Sequence, residues 1–282
     1  MHYEYAVEPQ AIGSSWETFR YLIEKFGFDK GRLISQFPKS WFREVYQATD
    51  ALTPIQKKKV EEALNQAKKN KVVRFKRNFD RSIGSWLDNA LAEHQRHPFH
   101  AIIASSAPNG AAQVLQADTV DETDPLMNVR HEDDIPRNVA AISAALREFL
   151  RFGSRLVFVD PFIDPFNQRQ KNMFRELLKT VADLNPGAEC EIHYRYHDGK
   201  PCNDDLEREA SGLFGDVIPL GIRISLFCWR EKEGGEDFHA RYLLTEKGGA
   251  RIDAGFDPVG SHQKTDITLM GASEKPRHVC VI

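Results

Sequence analysis

The sequence predicts an α/β protein: a mixed-sheet sandwich over residues 98–282, preceded by a small all-α module over 1–97. Three observations carry this. From residue 136 onward, short apolar runs alternate with segments of helical period, the pattern of strands and helices in turn. Near the end, Lys247-Gly248-Gly249 marks a hairpin turn between two alternating runs, which adds antiparallel strands to an otherwise parallel order. The first hundred residues show helix-start signals and helical spacing with few strand signals.

Composition bounds the problem. A chain of 282 residues with 41% hydrophobic and 28% charged content is that of a globular protein of one large or two modest domains. No apolar run reaches membrane-spanning length, and Met1-His2-Tyr3-Glu4-Tyr5 has neither a basic nor an apolar leader segment, so a cytoplasmic protein with no membrane partner is expected. Cys190, Cys202, Cys228 and Cys280 lack C-x-x-C spacing, so they are expected as buried small hydrophobes rather than zinc ligands or disulfides. Cys280, third from the end, does not fit a prenylation box. A net charge of −3 excludes no partner, because charge can be segregated.

In the N-terminal module, Ser14-x-x-Glu17 reads as a capping box ahead of Trp16, Phe19, Leu22, Ile23 and Phe26 at helical spacing. A short helix over Gly31 to Phe37 and another from Ser40 to Ala51 follow, broken by Pro38. Thr53-Pro54-Ile55-Gln56 combines an N-cap, an N1 proline and a capping box, and its helix runs to Lys69. A last helix spans Ser82 to Glu93. Charge here is uneven. Lys57, Lys58, Lys59, Lys68, Lys69, Lys71, Arg74, Lys76, Arg77 and Arg81 face only three acids over the same stretch, with Phe75 and Phe79 interleaved. Such a strip suits a nucleic-acid backbone, with rings for unpaired bases; a solvated helix face is the plainer alternative.

Beyond Pro98, Phe99 to Ala104 reads as a buried strand. An acid-rich stretch from Asp118 to Asp134 reads as a long loop, with a short strand at Gln113 to Leu115 before it. Pro136 to Phe152 reads as a helix closed by Gly153, and Arg155 to Val159 as a strand leaving the sheet at Asp160-Pro161. A helix over Gln168 to Leu184, a strand over Glu191 to Tyr196, a helix over Asp204 to Phe214 and a strand over Ile222 to Trp229 continue the alternation. The ribbon follows, and Asp266 to Met270 is the final strand. No G-x-G-x-x-G or P-loop glycine pattern is present, so no nucleotide cofactor is expected. Asp160 and Asp164 stand where ligands gather in open sheets, though turn chemistry before proline explains them equally. His193, His197 and Cys228 have no metal-site spacing.

The ribbon concentrates the chemistry. From Phe238 to Leu244 apolar and polar residues alternate, so His239 and Arg241 share a strand face, and the return strand brings Asp257 back to the same end. His239-Ala240-Arg241, Glu246 and Ala254-Gly255-Phe256-Asp257 resemble the H-x-K-x-x-x-x-D and G-S-x-N motifs of the phospholipase D superfamily, over residues 98–280. Arginine stands in place of lysine, Glu246 in place of aspartate, and Asp257, one residue late, in place of asparagine. Asp266 or a neighbour falls where a following carboxylate belongs. The F-H-x-R-Y-L-L-T-x-K-G-G version is similar to divergent members in prokaryotic conflict and defence gene sets.

The resemblance implies a phospholipase D-like domain and a metal-independent, cofactor-free phosphodiesterase, most readily a nuclease. One histidine attacks phosphorus, a second protonates the leaving oxygen, and the lysine and asparagine positions stabilise phosphoryl charge. Arginine serves the lysine role as a bidentate fork. An ionised Asp257 cannot donate a hydrogen bond to phosphate; a carboxylate there would instead orient His239. With one motif per chain, the resemblance implies a homodimer that shares its site. The basic strip would then position the nucleic acid, in an antiviral-defence setting that admits an operon-encoded partner protein. Two other readings stand beside this one. The first is an inactive module that binds nucleic acid or another phosphate-bearing ligand. The second is a lipid or nucleotide phosphodiesterase whose helical module serves a partner protein.

Overall fold

The computed structural model describes residues 1–199, 203–230 and 239–272. Cys202, Cys280, Asp237 and Phe238 lie outside the described residues. The chain is mixed α/β and divides into two compact units, one of His2–Arg130 and one of Met1 with the residues from His131 on.

The first unit is not all-α, and its boundary falls at 130/131 rather than 97/98. It holds β1 (Tyr3–Val7), α1 (Pro9–Gly13), α2 (Trp16–Lys25), β2 (Arg32–Ser35), α3 (Trp41–Gln47), α4 (Pro54–Asn70), β3 (Val72–Val73), α5 (Trp86–Arg96), β4 (Ala101–Ala104) and β5 (Val114–Gln116). These strands form one parallel sheet in the order β3-β2-β1-β4-β5. Two buried clusters fill its two faces, one around Tyr5, Trp41 and Ile103, the other around Phe37, Ile102 and Phe99. Arg32–Ser35 stands where a helix over Gly31 to Phe37 is expected. It is buried on both faces, and so short a run has no period that separates strand from helix. β1 is disguised by Glu4, whose carboxylate is paired with Arg77 at 2.8 Å.

Helix starts follow local chemistry. Thr53 and Gln56 form the expected capping box. The cap of α2 is Ser15, accepting from the Thr18 amide, rather than Ser14. α5 begins at a Ser85–Asp88 capping box, three residues later than the expected Ser82.

The second unit carries β6 (Glu132–Arg137), α6 (Val139–Phe152), β7 (Arg155–Val159), α7 (Gln168–Leu184), β8 (Glu189–Arg195), α8 (Asn203–Phe214), β9 (Ile224–Trp229), β10 (Tyr242–Thr245), β11 (Gly248–Ile252) and β12 (Gly260–Met270). The seven-stranded sheet runs β6-β12-β11-β10-β7-β8-β9. β7, β8 and β9 are parallel, and the ribbon strands, β12 and β6 add antiparallel. β6 was expected as the end of a loop and the start of a helix. Its residues alternate between exposed and half-buried along an edge strand paired with β12, and Asn138 rather than Pro136 starts α6. Phe158, Phe174 and Phe256 pack with ring centroids 5.5–5.6 Å apart, tying β7, α7 and the residues after β11 into one core.

Among the described residues, no helix is long and apolar enough to cross a membrane.

Candidate functional site

The parallel strands β7 and β8 end beside the residues that lead into β10, and the site candidates gather there. Val159 pairs with Tyr242 on one side and His193 on the other, so the segment just before β10 meets the carboxyl end of β7. Asp160, 1% exposed, follows β7. Its Oδ1 accepts from the Phe162 amide at 2.9 Å and its Oδ2 from the Phe256 amide at 3.0 Å. The Arg241 Nε lies 3.7 Å from Asp160 Oδ1, and the same guanidinium donates to the Asp253 carbonyl. Asp160 is therefore both the turn residue and the charge partner that fixes Arg241.

Gly255 makes this approach possible. Its φ is 66°, the left-handed region. A Cβ there would stand 2.1 Å from Asp160 Oδ2 and 2.5 Å from Arg241 Cδ.

Phe162, 42% exposed, collects the remaining groups. The exposed His239 imidazole stacks on it with planes 16° apart and centroids separated by 6.4 Å. The guanidinium of Arg241 lies 4.6 Å from its centroid and that of Arg195 5.5 Å. His239 and Arg241 thus come together as expected, and Phe162, Arg195 and Asp160 join them. Arg195 and Phe162 carry no motif; each stands at or just beyond the carboxyl end of a parallel strand, which is the only signal that points to them.

The other expected site residues are elsewhere or differently used. Asp257 is held by Arg169 at 3.2 Å and Arg137 at 3.5 Å, and its backbone carbonyl accepts from Arg137. It thus has two guanidinium partners that the sequence did not suggest. Glu246 sits at the turn end of the ribbon, away from His239, where it accepts from the Ser154 amide at 3.0 Å. Burial raises its pKa, but the amides of Ser154, Glu246 and Arg155 and the charge of Lys247 outweigh that, and the net shift is downward. Asp266 is exposed on β12, opposite Asp134 of β6.

His193 is buried and part of a chain. Its Nδ1 accepts from Trp229 Nε1 at 3.1 Å, which makes Nε2 the protonated nitrogen donating to Glu191 at 3.1 Å. Arg155 grips that same carboxylate at 2.6 and 2.7 Å. Burial lowers the His193 pKa despite the neighbouring carboxylate. Both ring nitrogens are occupied, which removes His193 as a metal ligand with His197 and Cys228. Among the described residues no three His, Cys, Asp or Glu groups are gathered closely enough to hold a metal. Burial also raises the Cys190 thiol to about 11.

The basic strip divides. Arg77 is inside the first unit, paired with Glu4 and lying 4.3 Å over Phe99. Lys71 donates to the Phe26 carbonyl at 2.6 Å, and burial lowers its pKa. Phe79 packs on Phe37 at 5.0 Å. Lys57 pairs with Asp50 at 3.4 Å, Lys59 and Lys68 cover Trp16 and Phe42, and Arg74 donates to Gln36. Lys58, Lys69, Lys76 and Arg81 are solvent-exposed.

A cavity of about 540 Å³ lies between α7, α8 and strands β8 and β9, lined mainly by apolar residues such as Phe174, Leu178 and Leu226. None of His239, Arg241 or Asp257 lines it.

No family model and no curated protein matches the chain. Among solved structures, TrmBL2, an archaeal chromatin protein described as showing a novel mode of DNA binding, aligns at 13% identity with a TM-score of 0.28. The alignment covers 51% of this chain and 48% of that one, so this chain spans about half of that protein's length. A likeness at that score carries no argument about fold or activity.

Proposed function

We propose that the protein is a phosphodiesterase of the phospholipase D type, a metal-independent nuclease with His239 as nucleophile. The observation that carries this reading is the group around Phe162: the exposed His239 imidazole and the guanidiniums of Arg241 and Arg195 at one ring. A nucleophile beside two cations is the combination an anionic phosphodiester requires, since the cations offset the charge that otherwise repels attack. The antiparallel ribbon beside parallel strands β7, β8 and β9 is consistent with the fold the motif implies.

In this account an imidazole nitrogen of His239 attacks phosphorus, and the bond to the leaving oxygen breaks as that oxygen takes a proton from a second histidine. Water, deprotonated by the same second histidine, then attacks the phosphohistidine. The phosphomonoester leaves and both imidazoles are restored. The second histidine is His239 of the other copy in a two-fold dimer. Arg241, fixed by Asp160, supplies the charge that lysine would.

Cleavage of nucleic acid in excess EDTA tests the reading. Wild type is expected to cut, with specific activity falling on dilution below the dimer constant. His239→Ala is expected to lose activity by about 10³-fold or more. The second reading, binding without turnover, draws on the occupation of Arg241 by Asp160 and the Asp253 carbonyl. It prevails if both proteins bind nucleic acid equally and neither cuts.

A further inference from the structure

The carboxyl edge of the sheet presents aromatic rings and guanidiniums in alternation beyond the His239 group. Phe162 follows β7, Arg195 and Tyr196 close β8, and Trp229 and Arg230 close β9. The three strands are hydrogen-bonded neighbours, so their carboxyl ends follow one another at a strand spacing of about 4.8 Å along one edge. Trp229 is 36% exposed and Phe162 42%, and Tyr196 is half-buried. The Arg230 guanidinium lies 4.3 Å over the Tyr196 ring.

Trp229 is held in place. Its indole N–H is bonded to His193, and the two ring planes differ by only 6°, with centroids 6.0 Å apart. An edge-to-edge hydrogen bond between nearly parallel rings makes one extended flat shelf. Phe227 lies within 16° of both planes, 4.5 Å from His193. The Glu191–Arg155 pair fixes His193 from the other side. A large, partly exposed ring locked by such a chain loses little freedom when a ligand stacks on it.

We infer that the substrate of this site is single-stranded nucleic acid, with unpaired bases stacking on Trp229 and Phe162 while Arg195 and Arg241 track the phosphates. This rests on, and narrows, the phosphodiesterase reading. In a duplex the faces of the bases are hidden by stacking and only their edges show in the grooves. A shelf of ring faces therefore reads only bases that are unpaired, as in single-strand channels that combine stacking rings with cations.

The test separates binding from cleavage by using full-length His239→Ala, which cannot turn over in this account. Its affinity is measured by anisotropy for oligo-dT, oligo-rU and a duplex of equal length, in EDTA. At least one single strand is expected to bind ten-fold or more tightly than the duplex. Trp229→Ala in the same background is expected to lose about ten-fold for the single strand, and Trp229→Phe to keep most of the affinity. Trp229 is the only tryptophan after residue 131, so the fluorescence removed by Trp229→Phe isolates its signal, which base stacking is expected to quench. Equal or tighter duplex binding, or unchanged affinity in Trp229→Ala, overturns the inference. Tight, Trp229-dependent binding with no cleavage by wild type leaves the shelf standing and removes the nuclease reading. Cleavage confined to duplex does the reverse.

Discussion

Arg241 and Asp160 form the hinge of the candidate site: the guanidinium Nε lies 3.7 Å from a carboxylate that is 1% exposed and also accepts two backbone amides. Asp160→Ala leaves those amides without their acceptor and takes the carboxylate from Arg241, which keeps its bond to the Asp253 carbonyl. A loss of about 3–5 kcal/mol in urea unfolding is expected. Asp160→Asn, which keeps one acceptor oxygen, is expected to lose about half as much and to weaken activity through Arg241 while His239 is untouched.

Gly255 is the backbone counterpart of that contact. Gly255→Ala adds a methyl 2.1 Å from Asp160 Oδ2 at a φ of 66°. Left-handed strain and overpacking together are expected to cost about 2–4 kcal/mol. Gly187→Ala is the control, since a Cβ there meets nothing within 4 Å. It is expected to be near neutral when the two are compared by thermal unfolding.

Glu246 distinguishes motif from geometry. The motif comparison puts it at an aspartate position, whereas the structure has it capping the Ser154 and Arg155 amides at the start of β7. Glu246→Gln is therefore expected to lower stability by about 1 kcal/mol or less and to leave the cleavage rate constant within two-fold. A large loss of rate at unchanged stability contradicts that placement.

His193 gives the second unit a pH dependence of known sign. Its pKa is lowered by burial from the ordinary 6.5, so the unfolded chain takes up a proton that the folded chain refuses. The contribution is fully present above about pH 6.5 and is lost as pH falls from there toward the depressed folded value. Protonating Nδ1 also removes the acceptor for the Trp229 indole. Urea midpoints at pH 7.5 and 5.5 are expected to converge in His193→Gln relative to wild type, and Trp229 fluorescence is expected to shift on acidification only in wild type.

Much of the second unit was legible because its helices and strands differ in period. α7 keeps one apolar face over its expected length, and the expected hairpin joins β10 to β11, although its turn is Glu246-Lys247 and the two glycines already belong to β11. The first unit's sheet was hidden for two physical reasons. β2, Arg32-Leu33-Ile34-Ser35, is buried on both faces and too short to show alternation, and β1 carries Glu4, whose partner Arg77 is 73 residues away. That same pairing removes Arg77 from the basic strip, something no local charge count reveals. His239 and Arg241 meet at Phe162, but they precede β10 instead of sharing the face of a strand that the spacing led one to expect. Arg195 and Trp229 end β8 and β9 and Phe162 follows β7, and only the parallel order of these strands brings them to one edge.

In the proposed reaction His239 becomes covalently bonded to phosphorus. Wild type mixed with a labelled oligonucleotide in EDTA, quenched in strong base within the first turnovers and digested, tests it by mass spectrometry. A phosphoryl-linked adduct is expected on the peptide bearing His239 and absent from His239→Ala. Cleavage that proceeds undiminished in His239→Ala, or an adduct on another residue, contradicts it.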